Sequence, residues 1–179
     1  MTGFANSALV LAYGNPLRGD DGAAWRIAEA LEEHPLNAGT EVICAQQLMP
    51  EHAAALSRAE AAVFLDCSAI HDPGAVTVTP LNEADDLPRV FTHHLDPASL
   101  LRLALDLYGR APARAFAVTV GGQSYGFGDG LSGTVTAAIP AAVDAVCRVL
   151  RSGEIASHVA ELPHDETFSK LPAVSRKLL

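Results

Sequence analysis

Cysteine and basic charge are both in short supply in this chain of 179 residues. Its three cysteines, Cys44, Cys67 and Cys147, are odd in number, widely spaced and without a Cys-x-x-Cys pair. That excludes a disulfide framework and a structural zinc knuckle, and predicts three reduced thiols. Lysine and arginine number 12 against 21 aspartates and glutamates, a formal charge of −9 with histidine neutral. This balance speaks against a nucleic-acid backbone or an anionic membrane as partner, and suits a partner with a basic segment. No uninterrupted apolar run approaches the roughly 18 residues of a membrane-spanning helix, although the mean hydropathy is +0.20. The N-terminus lacks a positively charged region before its first apolar stretch, which is itself shorter than a signal-peptide core. A cytoplasmic location is expected. With 49% hydrophobic and 18% charged residues the chain has the makings of a buried core and is not disordered.

The apolar residues are grouped in short runs. Ala8-Leu9-Val10-Leu11-Ala12-Tyr13 ends at Gly14-Asn15-Pro16, the pattern of a fully buried strand followed by a turn. From Asp21 the period changes: Ala24, Ile27, Ala28 and Leu31 recur at helical spacing until Pro35 stops the helix. A second strand is expected at 40–44, a short helix at 50–58 and a third, buried strand at 61–66. Residues 75–79 alternate after Asp72-Pro73-Gly74 and read as an edge strand, with an antiparallel direction open to it. Asp96-Pro97 is an N-cap with proline at the first helical position, and Leu100, Leu103, Ala104 and Leu107 line one face until Gly109. Residues 115–120 form a further strand, which leads into a glycine-rich loop at 121–130. A last helix starts near Ser132 or Pro140 and ends at Ser152-Gly153.

Alternation of this kind predicts an α/β fold: a single three-layer domain, residues 1–153, with a mostly parallel central sheet flanked by helices on both faces, and a C-terminal tail at 154–179. An open parallel sheet places its site at the carboxyl ends of its strands. Three polar clusters fall there: Gly14-Asn15-Pro16-Leu17-Arg18-Gly19-Asp20-Asp21-Gly22, Asp66 closing the third strand, and Phe91-Thr92-His93-His94 ahead of the capped helix. In a strand order of 2-1-3 the ends of the first and third strands bring Asp21 and Asp66 together. Two neighbouring carboxylates raise a pKa or recruit a cation, and an imidazole completes a ligand set suited to a divalent transition metal.

Each residue also has a plainer explanation. Asp20 or Asp21 fits equally as a cap on the following helix, and one of two adjacent histidines is commonly solvated or packed. Asp66, at the end of the run Ala-Ala-Val-Phe-Leu, is desolvated unless the strand has reached a crevice, which favours function over structure. The spacing of Gly14, Gly19 and Gly22 is not Gly-x-Gly-x-x-Gly and no Gly-Lys-Ser/Thr follows, so nucleotide binding is discounted. Cys67 and Ser68 lack a Gly-x-Ser-x-Gly elbow, and Cys67 reads as a small packed residue. Tyr125 and Phe127, in the glycine-rich loop, suit either a peptide contact or a cover for the sheet.

The opening motif 14–22, then Val63-Phe64-Leu65-Asp66, then His93 before a Leu-rich helix, resemble the endopeptidases that mature the large subunit of nickel-iron hydrogenases. The resemblance spans about residues 9–150. Gln47-Leu48-Met49-Pro50-Glu51, His93-His94-Leu95-Asp96-Pro97 and Leu107-Tyr108-Gly109 are similar to the branch serving cytoplasmic, NAD-linked or related hydrogenases. The resemblance implies a peptidase that removes a C-terminal extension from the large-subunit precursor once nickel is inserted, with that precursor as partner. It implies Asp21, Asp66 and His93 as the catalytic and metal-binding residues, His94 as the alternate ligand, and Asn15 and Gln47 on the substrate. His93 is preferred because the family's histidine commonly follows Ser or Thr, as His93 follows Thr92; His71 is a more distant candidate. The nickel implied is borne by the precursor. Many members carry glutamate where Asp21 stands, and Asp-Gly-Gly-Thr where this chain has Cys44-Ala45-Gln46-Gln47. A nickel-sensing chaperone that holds the precursor without cutting it is the alternative.

Overall fold

A computed structural model of the protein describes residues 8–34, 39–82 and 95–152. The elements are β1 (Ala8–Tyr13), a 3-10 turn (Gly19–Gly22), α1 (Ala23–Glu32), β2 (Thr40–Ala45), α2 (His52–Leu56), β3 (Ala61–Ser68), β4 (Val76–Leu81), α3 (Pro97–Tyr108), β5 (Arg114–Gly121) and α4 (Gly133–Ser152). They form one sheet in the order β2-β1-β3-β5-β4. The first four of these strands run parallel, and β4 is an antiparallel edge strand. Pro80 has no N–H to give to a ladder and is tolerated on that edge. The 2-1-3 order expected from sequence is the one observed.

Helices cover both faces, which makes the three layers. Side chains alternate across the sheet, so Val10, Ala12, Val63, Leu65, Cys67, Val118 and Val120 face α1 and α4, while Leu9, Leu11, Ala62, Phe64 and Ala115 face α2 and α3. α3 is built as its sequence requires: Asp96 Oδ1 accepts the Ser99 N–H at 2.8 Å, and Gly109 closes the helix at φ 67°.

Two expectations need correction. β3 runs two residues past Asp66, because Cys67 and Ser68 pair with Val120 and Gly121 of β5. Of the two starts open to α4 the one near Ser132 is realised, and the helix runs unbroken through Pro140; the proline and Thr136, whose carbonyl it frees, are both exposed, so water serves that carbonyl. Counting uninterrupted apolar residues also overlooked α4, which over Gly133–Arg151 is long and apolar enough by composition to cross a membrane, with a mean hydropathy of 1.4. Its apolar face, Val135, Ala138, Ala142, Val146 and Val149, is buried in the core beside α1, the packing of a core helix. The predicted tail at 154–179 lies outside the described residues.

Candidate active site

The parallel register sets the site. Ala12 pairs with Leu65, so Tyr13 stands beside Asp66; Asp66 pairs with Thr119, and Thr119 with Thr77. Alternation puts this transverse polar row, Tyr13, Asp66, Thr119 and Thr77, on the face covered by α2 and α3. It lies at the carboxyl end of the parallel strands, where the apolar runs stop. The Thr77 and Thr119 hydroxyls are 2.5 Å apart, and His71 Nδ1 lies 3.3 Å from Thr119 Oγ1.

Asp66 is half-buried, and Cys67 N–H donates to its Oδ1 at 2.8 Å. Burial pushes its carboxyl up to about 6; the Cys67 N–H and the Tyr13 hydroxyl, both hydrogen-bonded to it, pull the other way, and the charge of Asp21 pushes it up further. Tyr13 is held above its ordinary range by burial first, then by the charge of Asp66 and the hydrogen bond to it, and by the charge of Asp96. The N-terminus of α3 therefore lies near enough to this end of the sheet to be felt there. A carboxyl poised near neutrality with a second acid at hand can exchange a proton or draw in a cation.

Asp21 is placed by its own loop. Its Oδ2 accepts the Asn15 N–H at 2.9 Å. Gly14 has φ +137° and lies so close to the Asp21 carbonyl that a Cβ would come within 2.2 Å of its oxygen. The Trp25 indole N–H donates to the Gly14 carbonyl at 2.9 Å, and Gly14 N–H donates to Ala45 at 3.2 Å, which ties the turn to α1 and β2.

Asp20 has a different task. It is fully buried, and its carboxylate accepts N–H groups from Gln123 and Ser124 at 2.8 Å and from Ser132 at 2.6 Å. Burial alone would raise its pKa, but these three backbone donors outweigh it and hold the carboxyl below its usual range. Asp20 N–H in turn donates to the Ser124 carbonyl at 2.8 Å, and Gly128 N–H to the Leu17 carbonyl at 2.8 Å. The glycine-rich loop is thus stitched to the opening motif. The capping reading is corrected: neither aspartate caps a helix through its side chain, since both carboxylates are engaged by loop N–H groups instead.

The other predicted residues divide. Asn15 Oδ1 accepts the Leu17 N–H at 3.0 Å and shapes the loop, while Gln47 is exposed after β2, its Nε2 3.2 Å from Met49 Sδ. Cys67 is a buried thiol on the opposite face from Asp66, 3.7 Å from the Tyr125 hydroxyl. Burial pushes it up to about 11; the Tyr125 hydroxyl works against this, and the charges of Asp20, Asp66 and Asp21 reinforce it, so it packs as a neutral group. His93 and His94 lie outside the described residues. Among the described residues no three of His, Cys, Asp and Glu gather around one metal position. Asp66 feels the charge of Asp21, and no described histidine joins the two in such a group. Tyr13 and Thr119 were missed from sequence; their signal was even spacing from the buried Leu11 and Ala115 on strands whose ends carry the site.

No protein-family model matches the chain, and no curated protein matches it in sequence. Solved structures do. It superposes on the hydrogenase maturating endopeptidase HybD from E. coli with a TM-score of 0.65 and 26% identity, over 82% of this chain and 93% of that one. The fold is that of the hydrogenase maturation endopeptidases. The hydrogenase 2 maturation peptidase of a Thaumarchaeota archaeon matches at TM-score 0.61 and 26% identity, over 81% of this chain and 98% of that one. An endopeptidase from E. coli solved in solution matches at 0.65 and 27%, over 83% and 94%. The likeness to these maturation endopeptidases spans nearly the whole of those proteins.

Proposed function

We propose that this protein is an endopeptidase that removes the C-terminal extension of a nickel-iron hydrogenase large-subunit precursor after nickel insertion, acting in the cytoplasm and within the branch serving NAD-linked or related hydrogenases. The observation that carries the reading is the maturation-endopeptidase fold, in which Asp66 on β3 and the Asp21 loop leaving β1 lie at the carboxyl ends of neighbouring strands. Asp21, Asp66 and His93 are assigned to the substrate-borne nickel, with His94 as alternate. The sequence places His93 and His94 three and two positions before Asp96, whose charge reaches Tyr13 at the site. Asn15 and Gln47, in the loops after β1 and β2, are assigned to the substrate polypeptide.

The chemistry follows from the donor set. Carboxylates and one imidazole hold nickel less tightly than thiolates do, so the site engages the ion without drawing it from the precursor. Inspection of the cargo then becomes part of binding. Close to the scissile bond, the ion's charge favours the developing oxyanion, and Asp21 or Asp66 takes the proton of the attacking water.

The test is intact-mass analysis of the nickel-loaded precursor incubated with the wild-type protein and with Asp21→Asn, Asp66→Asn and His93→Ala. Loss of one C-terminal peptide with the wild type, and none with the folded variants, is the expected result. A wild type that binds the precursor and leaves its mass unchanged establishes the chaperone alternative and ends the peptidase reading.

A further inference from the structure

Among the described residues six large apolar side chains stand exposed: Leu17, Met49, Ile70, Leu107, Tyr108 and Phe127. Their placement is not random. Leu17 follows β1, Met49 follows β2, Ile70 follows β3 and Phe127 follows β5. All four lie in loops leaving the carboxyl ends of the parallel strands, the end that carries Asp21 and Asp66. Leu107 and Tyr108 close α3, whose N-cap lies near Tyr13. Twelve residues of helix carry them roughly 18 Å away from that end at about 1.5 Å per residue.

Ile70 is 90% exposed and Phe127 79%, against the usual tendency of such side chains to leave water. The backbone beneath Leu17 and Phe127 is pinned by the Gly128 N–H to Leu17 carbonyl bond and by the buried Asp20 carboxylate. Apolar side chains held out to solvent on successive loops at one end of a sheet are the material of an interaction surface.

We propose that Leu17, Met49, Ile70 and Phe127 form the apolar rim of a docking surface for a protein partner, one that presents apolar side chains around a cation-bearing centre which the two carboxylates receive. The inference rests on the reading of Asp21 and Asp66 as a cation site and adds to it the chemistry of the surrounding contact. Charge decides the occupant. A free metal ion or a small cationic metabolite would use the carboxylates and leave the rim in water, and an anionic membrane is repelled by a net charge of −9. A polypeptide surface that is apolar at its margin and positive at its centre satisfies both parts.

The test uses the full chain and, as probe, nickel-loaded hydrogenase large-subunit precursor with its extension intact, binding being measured on the wild-type protein at early times, with intact mass confirming that the extension is still attached. In that background Leu17→Ser with Phe127→Ser is expected to weaken binding at least about 30-fold, and Ile70→Ser alone about tenfold. Leu107→Ser with Tyr108→Ser, at the far end, is expected to stay within about twofold. Equal affinity for the rim and far-end variants overturns the proposal, as does absence of binding by the parent protein. A parent that is dimeric by light scattering and becomes monomeric in the rim variants overturns it in favour of a second copy of this chain. Cleavage by the same variants is scored separately at later times: a rim that matters for binding while the wild type never cuts leaves this inference standing and ends the peptidase reading.

Discussion

Replacing Asp66 with asparagine should make the metal-free protein more stable while abolishing its activity. Burial, with the charge of Asp21 added, lifts the Asp66 carboxyl from its ordinary 3.8 to about 6. At about 1.4 kcal/mol for each tenfold change in proton affinity, ionising it in the folded protein costs ~3 kcal/mol above pH 6. The sign follows from the direction. A carboxyl raised on folding supports the fold while protonated; its contribution is complete below about pH 4 and is lost as pH rises through about 6. Asparagine keeps an oxygen for the Cys67 N–H but weakens the bond from Tyr13, so the net gain at neutral pH should be about 2 kcal/mol. For a domain of this size that is roughly 4–8 °C in Tm. Thermal unfolding with a chelator present, at intervals from pH 3.5 to 8, reads the effect. The variant should lie about 1 kcal/mol below the wild type near pH 3.5, cross it between 4 and 6, and remain about 2 kcal/mol above it at higher pH. A pH-independent difference, or a variant less stable at pH 8, would refute the account of Asp66 as a destabilising carboxylate maintained for function.

Removing the Asp20 carboxylate should do the reverse. Asp20→Ala removes the buried acceptor of three N–H donors, at Gln123, Ser124 and Ser132, and should cost about 3 kcal/mol in urea unfolding, with rapid amide exchange at those three positions; wild-type exchange rates there would contradict the clamp. Since its pKa is lowered, the support Asp20 gives is present above its unfolded value and fades as pH falls through the folded one. Gly14→Ala forces a side chain into a positive-φ position against the Asp21 carbonyl and should lower cleavage more than tenfold by displacing Asp21; a variant with wild-type kcat/KM would show that the Gly14 contact does not position Asp21. Asp96→Ala removes the α3 cap and should cost about 1 kcal/mol by thermal unfolding; no change in Tm would mean the cap carries nothing.

Much of this was legible in the sequence because the signals were local. Buried strands in a parallel sheet are continuous apolar runs, and β1, β3 and β5 were visible as such. α3 announced both its ends, with Asp96-Pro97 and Gly109. The adjacency of β1 and β3, which sets the Asp21 loop beside the strand end that carries Asp66, was legible too. What escaped depends on partners distant along the chain. Asp20 meets donors 103 to 112 residues away, which no motif encodes, so it looked like a helix cap. Tyr13 and Thr119 matter only through register with Asp66. His71 ranked low because nothing local ties it to Thr119, although it proves to lie on the residue paired with Asp66.

The claim at the centre of this account is that substrate-borne nickel licenses cleavage. Purified wild-type protein should be mixed with nickel-loaded and nickel-free forms of the same large-subunit precursor, and the mass of each followed over time. Removal of a single C-terminal peptide from the loaded form, with the nickel-free form intact, is the predicted result. Equal cleavage of both forms would contradict nickel recognition by Asp21 and Asp66, and cleavage of neither would contradict the peptidase itself.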